Sequence, residues 1–237
     1  LDVDCGNAAS EGKYVQSALD KKVISEALLE KRLAEGFKVR MRLSHFDPLG
    51  PLQQISPSEV CSTATTAIAR DGAAQGATLL KNEHSTLPLS SASGPTVALI
   101  GPNALLRRST AGYYGGNSCG NQFPTMVDAV QQYVGADRTV TTPGVPSVTS
   151  NGTAAGIAQA VAMAKGDNKA VILVVGTDLS VAREGHDATG ISLSAGQQQL
   201  VDAVAAAAAR PVVVLLLTAV PLDISAILAH PNVGAVL

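Results

Sequence analysis

Three runs of aliphatic residues, at 170–175, 211–217 and 233–237, punctuate the C-terminal half of the chain. Each is continuous rather than alternating, so neither face of the segment is set aside for water. A strand of that kind must be covered on both sides, the condition of a parallel sheet sandwiched by helices. A fourth segment, 96–100, closes on Gly101-Pro102-Asn103 and reads as another strand. Between the runs lie stretches with helical spacing: 125–134, then 154–165 with Ile157, Val161 and Ala164 on one side, then a helix through Ala209. For that last helix Ser194 and Gln197 predict a reciprocal capping box. The predicted class is α/β: an open, mostly parallel sheet with helices on both faces, an α/β sandwich joined by right-handed crossovers.

The N-terminal part reads differently. Ser25 caps a predicted helix over 25–43, where Leu29, Leu33, Phe37 and Met41 recur at every fourth position. Residues 45–55 then carry Pro48, Gly50 and Pro51 without periodicity, the pattern of a linker. The predicted organisation is a first unit at 1–45, a linker at 46–56 and the sandwich at 57–237. Ser56-Pro57-Ser58-Glu59 predicts a helix start, capped by Ser56 and running to about Leu80, with 79–82 extended. Leu1 opens on what reads as the middle of a motif, without a leader peptide, so the chain is expected to begin inside a longer protein.

Several functions are disfavoured by charge and motif. A net charge of −2 leaves no cluster of Lys and Arg to bind nucleic acid or an acidic membrane. The longest aliphatic run, 212–220 with one Thr, is about half of the roughly 20 residues that a membrane-spanning helix needs. Cys5, Cys61 and Cys119 fit neither a zinc spacing nor a redox pair, so no metal or cofactor is expected. The glycines at 112–116 lack the Lys of a phosphate loop and the order of a dinucleotide fingerprint. No Gly-x-Ser-x-Gly elbow is present for acyl hydrolysis. Asn151-Gly152-Thr153 is an N-glycosylation sequon.

Charge gathers where the strand at 170–175 ends. Charged residues make up 15% of the chain, against about 25% in ordinary proteins. Yet Asp178, Arg183, Glu184, His186 and Asp187 follow one another within a short stretch. Unpaired burial would cost several kcal/mol per ion, on the order of the penalty for lone buried charges. They therefore belong at an exposed strand end or in a cleft. In open α/β sheets, ligands collect outside the carboxyl ends of strands. Glu184, beside Gly185, can approach a substrate and transfer a proton; the bland alternatives are a solvated loop charge or a helix cap. His186 and Asp187 are polar loop or substrate contacts, too few for a metal site. Tyr114, among the glycines at 112–116, frames a pocket with its flat face or sits in a surface loop.

The ordered set Leu1-Asp2-Val3-Asp4-Cys5-Gly6, Arg70-Asp71, Leu79-Leu80-Lys81-Asn82, Leu87-Pro88-Leu89, VALIGPN at 97–103, Gly112-Tyr113-Tyr114-Gly115 and Glu184-Gly185-His186-Asp187 resembles glycoside hydrolase family 3. The nearest branch is that of plant and fungal β-xylosidases. This resemblance implies a (β/α)8 barrel followed by an α/β sandwich. Residues 1–45 would be the barrel's helical C-terminal tail, and 57–237 a sandwich domain truncated before its end. It implies retaining hydrolysis of a terminal sugar from the non-reducing end of an oligosaccharide or glycoside, by a β-xylosidase or β-glucosidase, as in xylan breakdown. An Asp on the barrel would attack the anomeric carbon while a Glu of the sandwich protonates the leaving oxygen and then activates water. The two carboxyls of such a pair lie about 5–5.5 Å apart.

On that map Glu184 is the acid/base, and Asp187, His186 and Tyr114 face the substrate. No cofactor is implied, the location is extracellular or the cell wall, and the partner is the barrel of the same protein. Neither Asp2 nor Asp4 matches the nucleophile, so residues 1–237 alone are not expected to turn over glycosides. Ala182 and Ala188 stand where the family often has Glu and Arg. That departure sustains a second reading, a non-catalytic structural or interaction module derived from the family. A bridge between Cys5 and Cys61, leaving Cys119 over, completes the expectations drawn from the resemblance.

Overall fold

A computed structural model describes residues 12–89, 96–107, 114, 118–121, 123–152, 154–166 and 169–237. The chain divides into two compact units, Leu1–Pro57 and Ser58–Leu237. Leu1 to Gly6, Gly112, Tyr113, Gly115, Gly116 and Thr153 of the sequon lie outside the described residues.

The first unit contains helices α1 (Gly12–Asp20) and α2 (Glu26–Arg42). Ser25 caps α2 as its sequence position predicts, its hydroxyl oxygen accepting the Leu28 N–H at 3.2 Å. Beyond α2 the Arg40 guanidinium lies over the rings of Phe37 and Phe46 and bonds the His45 ring at 2.7 Å. This contact ties the chain leaving the helix back onto its last turns. Helix α1 is not among the predicted elements, because its 9 residues are too few to display a repeating apolar stripe.

The second unit opens later than its sequence suggests. Pro57–Glu59 is only a 3-10 turn, and helix α3 runs over Thr63–Gly76 with Ser62, not Ser56, as its cap. The reason is Cys61, whose φ of 63° is left-handed and cannot be part of a right-handed helix. Cys61 is held there by a disulfide to Cys119, their Cα atoms 5.5 Å apart. The expected Cys5–Cys61 pairing is thereby overturned, and Cys119 is not left over.

Among the described residues six strands form one sheet: β1 (Lys81–Asn82), β2 (Thr96–Ile100), β3 (Thr139–Thr142), β4 (Lys169–Gly176), β5 (Val212–Leu217) and β6 (Val233–Val236). Their order is β1-β6-β5-β4-β2-β3, and all pairs are parallel except β1 with β6. The three aliphatic runs are thus the adjacent strands β4, β5 and β6. β3 is absent from the sequence-based expectation because Thr139-Val140-Thr141-Thr142 has no aliphatic run. As an edge strand it needs less cover, and three of its four residues are half-buried.

Helices α4 (Met126–Val134), α5 (Ala154–Ala164), α6 (Ala195–Ala207) and α7 (Ser225–Ala229) complete the unit. Along β4, Leu173 and Val175 enter one core with α5, α6 and α7, while Val174 enters a second with Val127 of α4. Both faces of this strand are occupied, which is why its sequence cannot alternate. Thr125 and Asp128 form the reciprocal box at the start of α4, at 3.0 and 2.8 Å. At α6 only half of the predicted box exists. Ser194 Oγ accepts the Gln197 N–H at 3.4 Å, but the Gln197 side chain does not return to Ser194. It is bound instead to the end of β4.

Candidate functional site

β3 and β4 lie on opposite sides of β2, so the chain reverses its direction of growth there. At such a switch point the two connections leave in opposite directions and open a crevice at the strands' carboxyl ends. The connection that leaves β4 spans 177–193 and carries Glu184, His186 and Asp187. The connection that leaves β2 carries Tyr114. Both candidate segments therefore spring from the same end of neighbouring parallel strands.

The root of the 177–193 connection is firmly held. The Thr177 N–H donates to the Leu217 carbonyl at 2.8 Å, and its hydroxyl donates to the Thr218 hydroxyl at 3.2 Å. Asn103, fully buried after β2, donates from Nδ2 to the Thr177 carbonyl at 3.0 Å. The Asp178 carboxylate then accepts from the Ser180 N–H at 2.8 Å, closing a local turn. The far foot is held as well: Asp223 donates its N–H to the Ile191 carbonyl at 2.6 Å, and Ser192 bridges Asp223 in parallel register. Asp223 keeps its carboxyl below the ordinary carboxylate range, because the Ser225 hydroxyl and then the Ser225 N–H donate to it.

Between these feet the chain projects as a tight turn. Arg183 and His186 exchange both backbone bonds, at 2.9 and 3.0 Å, leaving Glu184 and Gly185 at the tip. Gly185 has a φ of +71°, the left-handed conformation that such a tip requires and that a glycine adopts without strain. Arg183 does not pair with Glu184. Its guanidinium donates to the Leu179 carbonyl at 2.8 Å, which braces the turn against its own root. Glu184 is exposed, and among the described residues no hydrogen bond or ion pair engages its carboxylate.

His186 and Asp187 are exposed on the same turn, which brings the three loop candidates together. Tyr114 is 78% exposed on a turn of the other connection. Sequence reasoning missed Asn103 and the tertiary use of Gln197. A polar residue just past a buried strand is the signal that could have found Asn103. Gln197 carries no such signal, because its spacing from Ser194 is that of an ordinary helix cap. Among the described residues no group of three His, Cys, Asp or Glu side chains could hold a metal ion. No helix among them is long and apolar enough to cross a membrane.

A mostly parallel sheet, with an exposed acidic turn after the strand beside its switch point, defines the domain as α/β. Residues 77–237 match the model of the glycosyl hydrolase family 3 C-terminal domain, and the chain belongs to that family. It is 39% identical over 240 residues to the Arabidopsis thaliana protein named probable beta-D-xylosidase 7, covering 100% of this chain and 30% of that one. With the probable exo-1,4-beta-xylosidase xlnD of Neosartorya fischeri it shares 33% identity, over 100% of this chain and 29% of that protein. Among solved structures, a family 3 exo-beta-xylosidase in complex with a xylobiose aziridine probe superposes with a TM-score of 0.86 at 27% identity, covering 99% of this chain and 29% of that one. The chain spans about 30% of the length of the curated relatives it matches.

Proposed function

We propose that this chain contributes the general acid/base, Glu184, to a retaining glycosidase of β-xylosidase or β-glucosidase type. The nucleophile would be a carboxylate on a barrel domain of the same protein, with residues 1–45 the tail of that barrel, 46–56 a linker and 57–237 the sandwich. In the first step the nucleophile forms an ester bond to the anomeric carbon, the glycosidic C–O bond breaks, and the Glu184 proton goes to the departing oxygen. In the second, the Glu184 carboxylate takes a proton from water, whose oxygen attacks the anomeric carbon and releases the nucleophile. Asp187, His186 and Tyr114 would contact the sugar. The observation that carries this reading is Glu184 itself: an exposed, unengaged carboxylate at the tip of a turn anchored at both feet. The Cys61–Cys119 bridge fits an oxidising, extracellular or cell-wall setting.

The test uses the full-length protein, or the chain exchanged for its matching segment in the Arabidopsis relative. Glu184→Gln should lower kcat/KM on alkyl xylosides by about 10²–10⁴-fold, the usual contribution of a positioned acid. On dinitrophenyl xyloside, whose leaving group needs no proton, the loss should be far smaller. Azide, which attacks without a base, should restore turnover. Equal slowing on both substrates would count against the assignment. Ala182 and Ala188 favour a second reading, a non-catalytic module of the same family. An exchanged enzyme that binds xylose but turns over neither substrate would support it.

A further inference from the structure

We propose that Gln197 is a positioning residue that fixes the place of Glu184 by holding the last residue of β4; the inference rests on the acid/base reading above. β2 pairs with β4 as far as Leu173 and the Asn103 N–H takes the Val174 carbonyl at 3.3 Å, so among the described residues no strand reaches Gly176 on that side. Gln197 stands in for the absent strand. Its side-chain amide works as a peptide group would: Oε1 accepts the Gly176 N–H at 2.9 Å, and Nε2 donates to the Gly176 carbonyl at 2.9 Å. Nε2 also donates to the Val148 carbonyl at 2.7 Å, binding the connection after β3 into the same knot.

Gln197 is 1% exposed, and its three bonds go to backbone that no other described side chain satisfies in this way. Asn103 adds a single bond one residue on, its Nδ2 donating to the Thr177 carbonyl. The two amides therefore clamp consecutive residues at the point where the chain departs for Glu184. An acid/base must meet the glycosidic oxygen within hydrogen-bond reach, and a misplacement of about 1 Å can cost on the order of 10²-fold in rate. The bonds within the turn, between Arg183 and His186 and from the Arg183 guanidinium to Leu179, tie the tip to its own root and not to the sheet. Its place relative to the sheet is set by its feet, and at the first of them Gln197 makes two side-chain bonds to the last residue of β4.

The test uses the same full-length or exchanged enzyme. Gln197→Leu keeps the approximate volume and removes all three bonds. Its kcat/KM on alkyl xylosides should fall at least ten-fold further than on dinitrophenyl xyloside, which does not need the proton. A role in stability alone would lower the folded fraction and scale both rates together, leaving their ratio unchanged. An unchanged ratio, alongside the split shown by Glu184→Gln, would overturn this inference and leave the acid/base assignment standing. No split in Glu184→Gln would overturn the assignment itself, and this inference with it. Should Gln197→Leu yield no folded enzyme, Gln197→Asn, which retracts the same amide by one methylene, is read by the same ratio.

Discussion

A Cβ added to Gly176 would fall on the carbonyl oxygen of Leu217, the residue it faces across the β4–β5 ladder. Gly176 also holds a φ of +144°, a conformation open almost only to glycine. Gly176→Ala should therefore cost on the order of 3 kcal/mol, the sum of backbone strain and displacement of a core strand. Gly185, at the tip of the Glu184 turn, has a φ of +71° but nothing within 4 Å of an added Cβ. Gly185→Ala should cost only about 1–2 kcal/mol. Urea denaturation of the two variants side by side checks the difference; equal losses would show that the strand end is not the tighter site.

Among the described residues no hydrogen bond or ion pair engages the Glu184 side chain. Glu184→Gln should shift stability by no more than about 0.5 kcal/mol, as for other exposed, unpaired positions. Thermal unfolding of the variant measures this. A large loss would mean that the carboxylate is part of the scaffold, and its activity phenotype would then need another explanation.

Cys61 and Cys119 close a loop with a sequence separation of 58. Removing the bridge by Cys61→Ser should destabilise the sandwich by about 2–4 kcal/mol, the usual range for a native disulfide. Peptide mapping under non-reducing conditions should recover Cys61 linked to Cys119. Recovery of Cys61 linked to Cys5 would refute the pairing.

Asp128 makes the acid side of stability predictable. Its pKa lies below the ordinary 3.8, chiefly because the Thr125 backbone N–H and then the Thr125 hydroxyl bond the carboxylate; burial opposes them, and Arg107 at 3.1 Å adds a lesser lowering. A lowered folded pKa means that the contribution is complete above the unfolded value and is lost as pH falls through the folded one. Asp128→Asn should therefore be less stable than the parent near pH 6, by a modest amount since the side chain is 36% exposed. The gap should narrow progressively as pH falls below 3.8. Melting temperatures at pH 6 and pH 3 compare the two; a gap that does not narrow between them would contradict it.

Much of the scaffold was legible in the residues. Continuous aliphatic runs, such as Val171 to Val175, can be satisfied only between two layers of helix, so β4, β5 and β6 and the parallel sheet follow from local composition. The cap at Ser25 is equally local, because a hydroxyl reaches an N–H only three residues away. The glutamate at the strand end was also readable, since an isolated charge cannot be buried with the strand it follows.

Other features depend on partners far along the chain. The cap of α3 falls at Ser62 and not Ser56 because Cys61, bridged to the distant Cys119, is left-handed and interrupts the helix. The Thr-rich β3 was invisible because an edge strand carries little hydrophobic signal. Gln197 shows the division most plainly. Its position three residues after Ser194 determined, from sequence alone, that it stands in the first turn of a helix. Where its amide goes was decided only by the tertiary structure, because the unpaired end of β4 offers a buried N–H and carbonyl, and leaving those unsatisfied costs more than giving up half a cap.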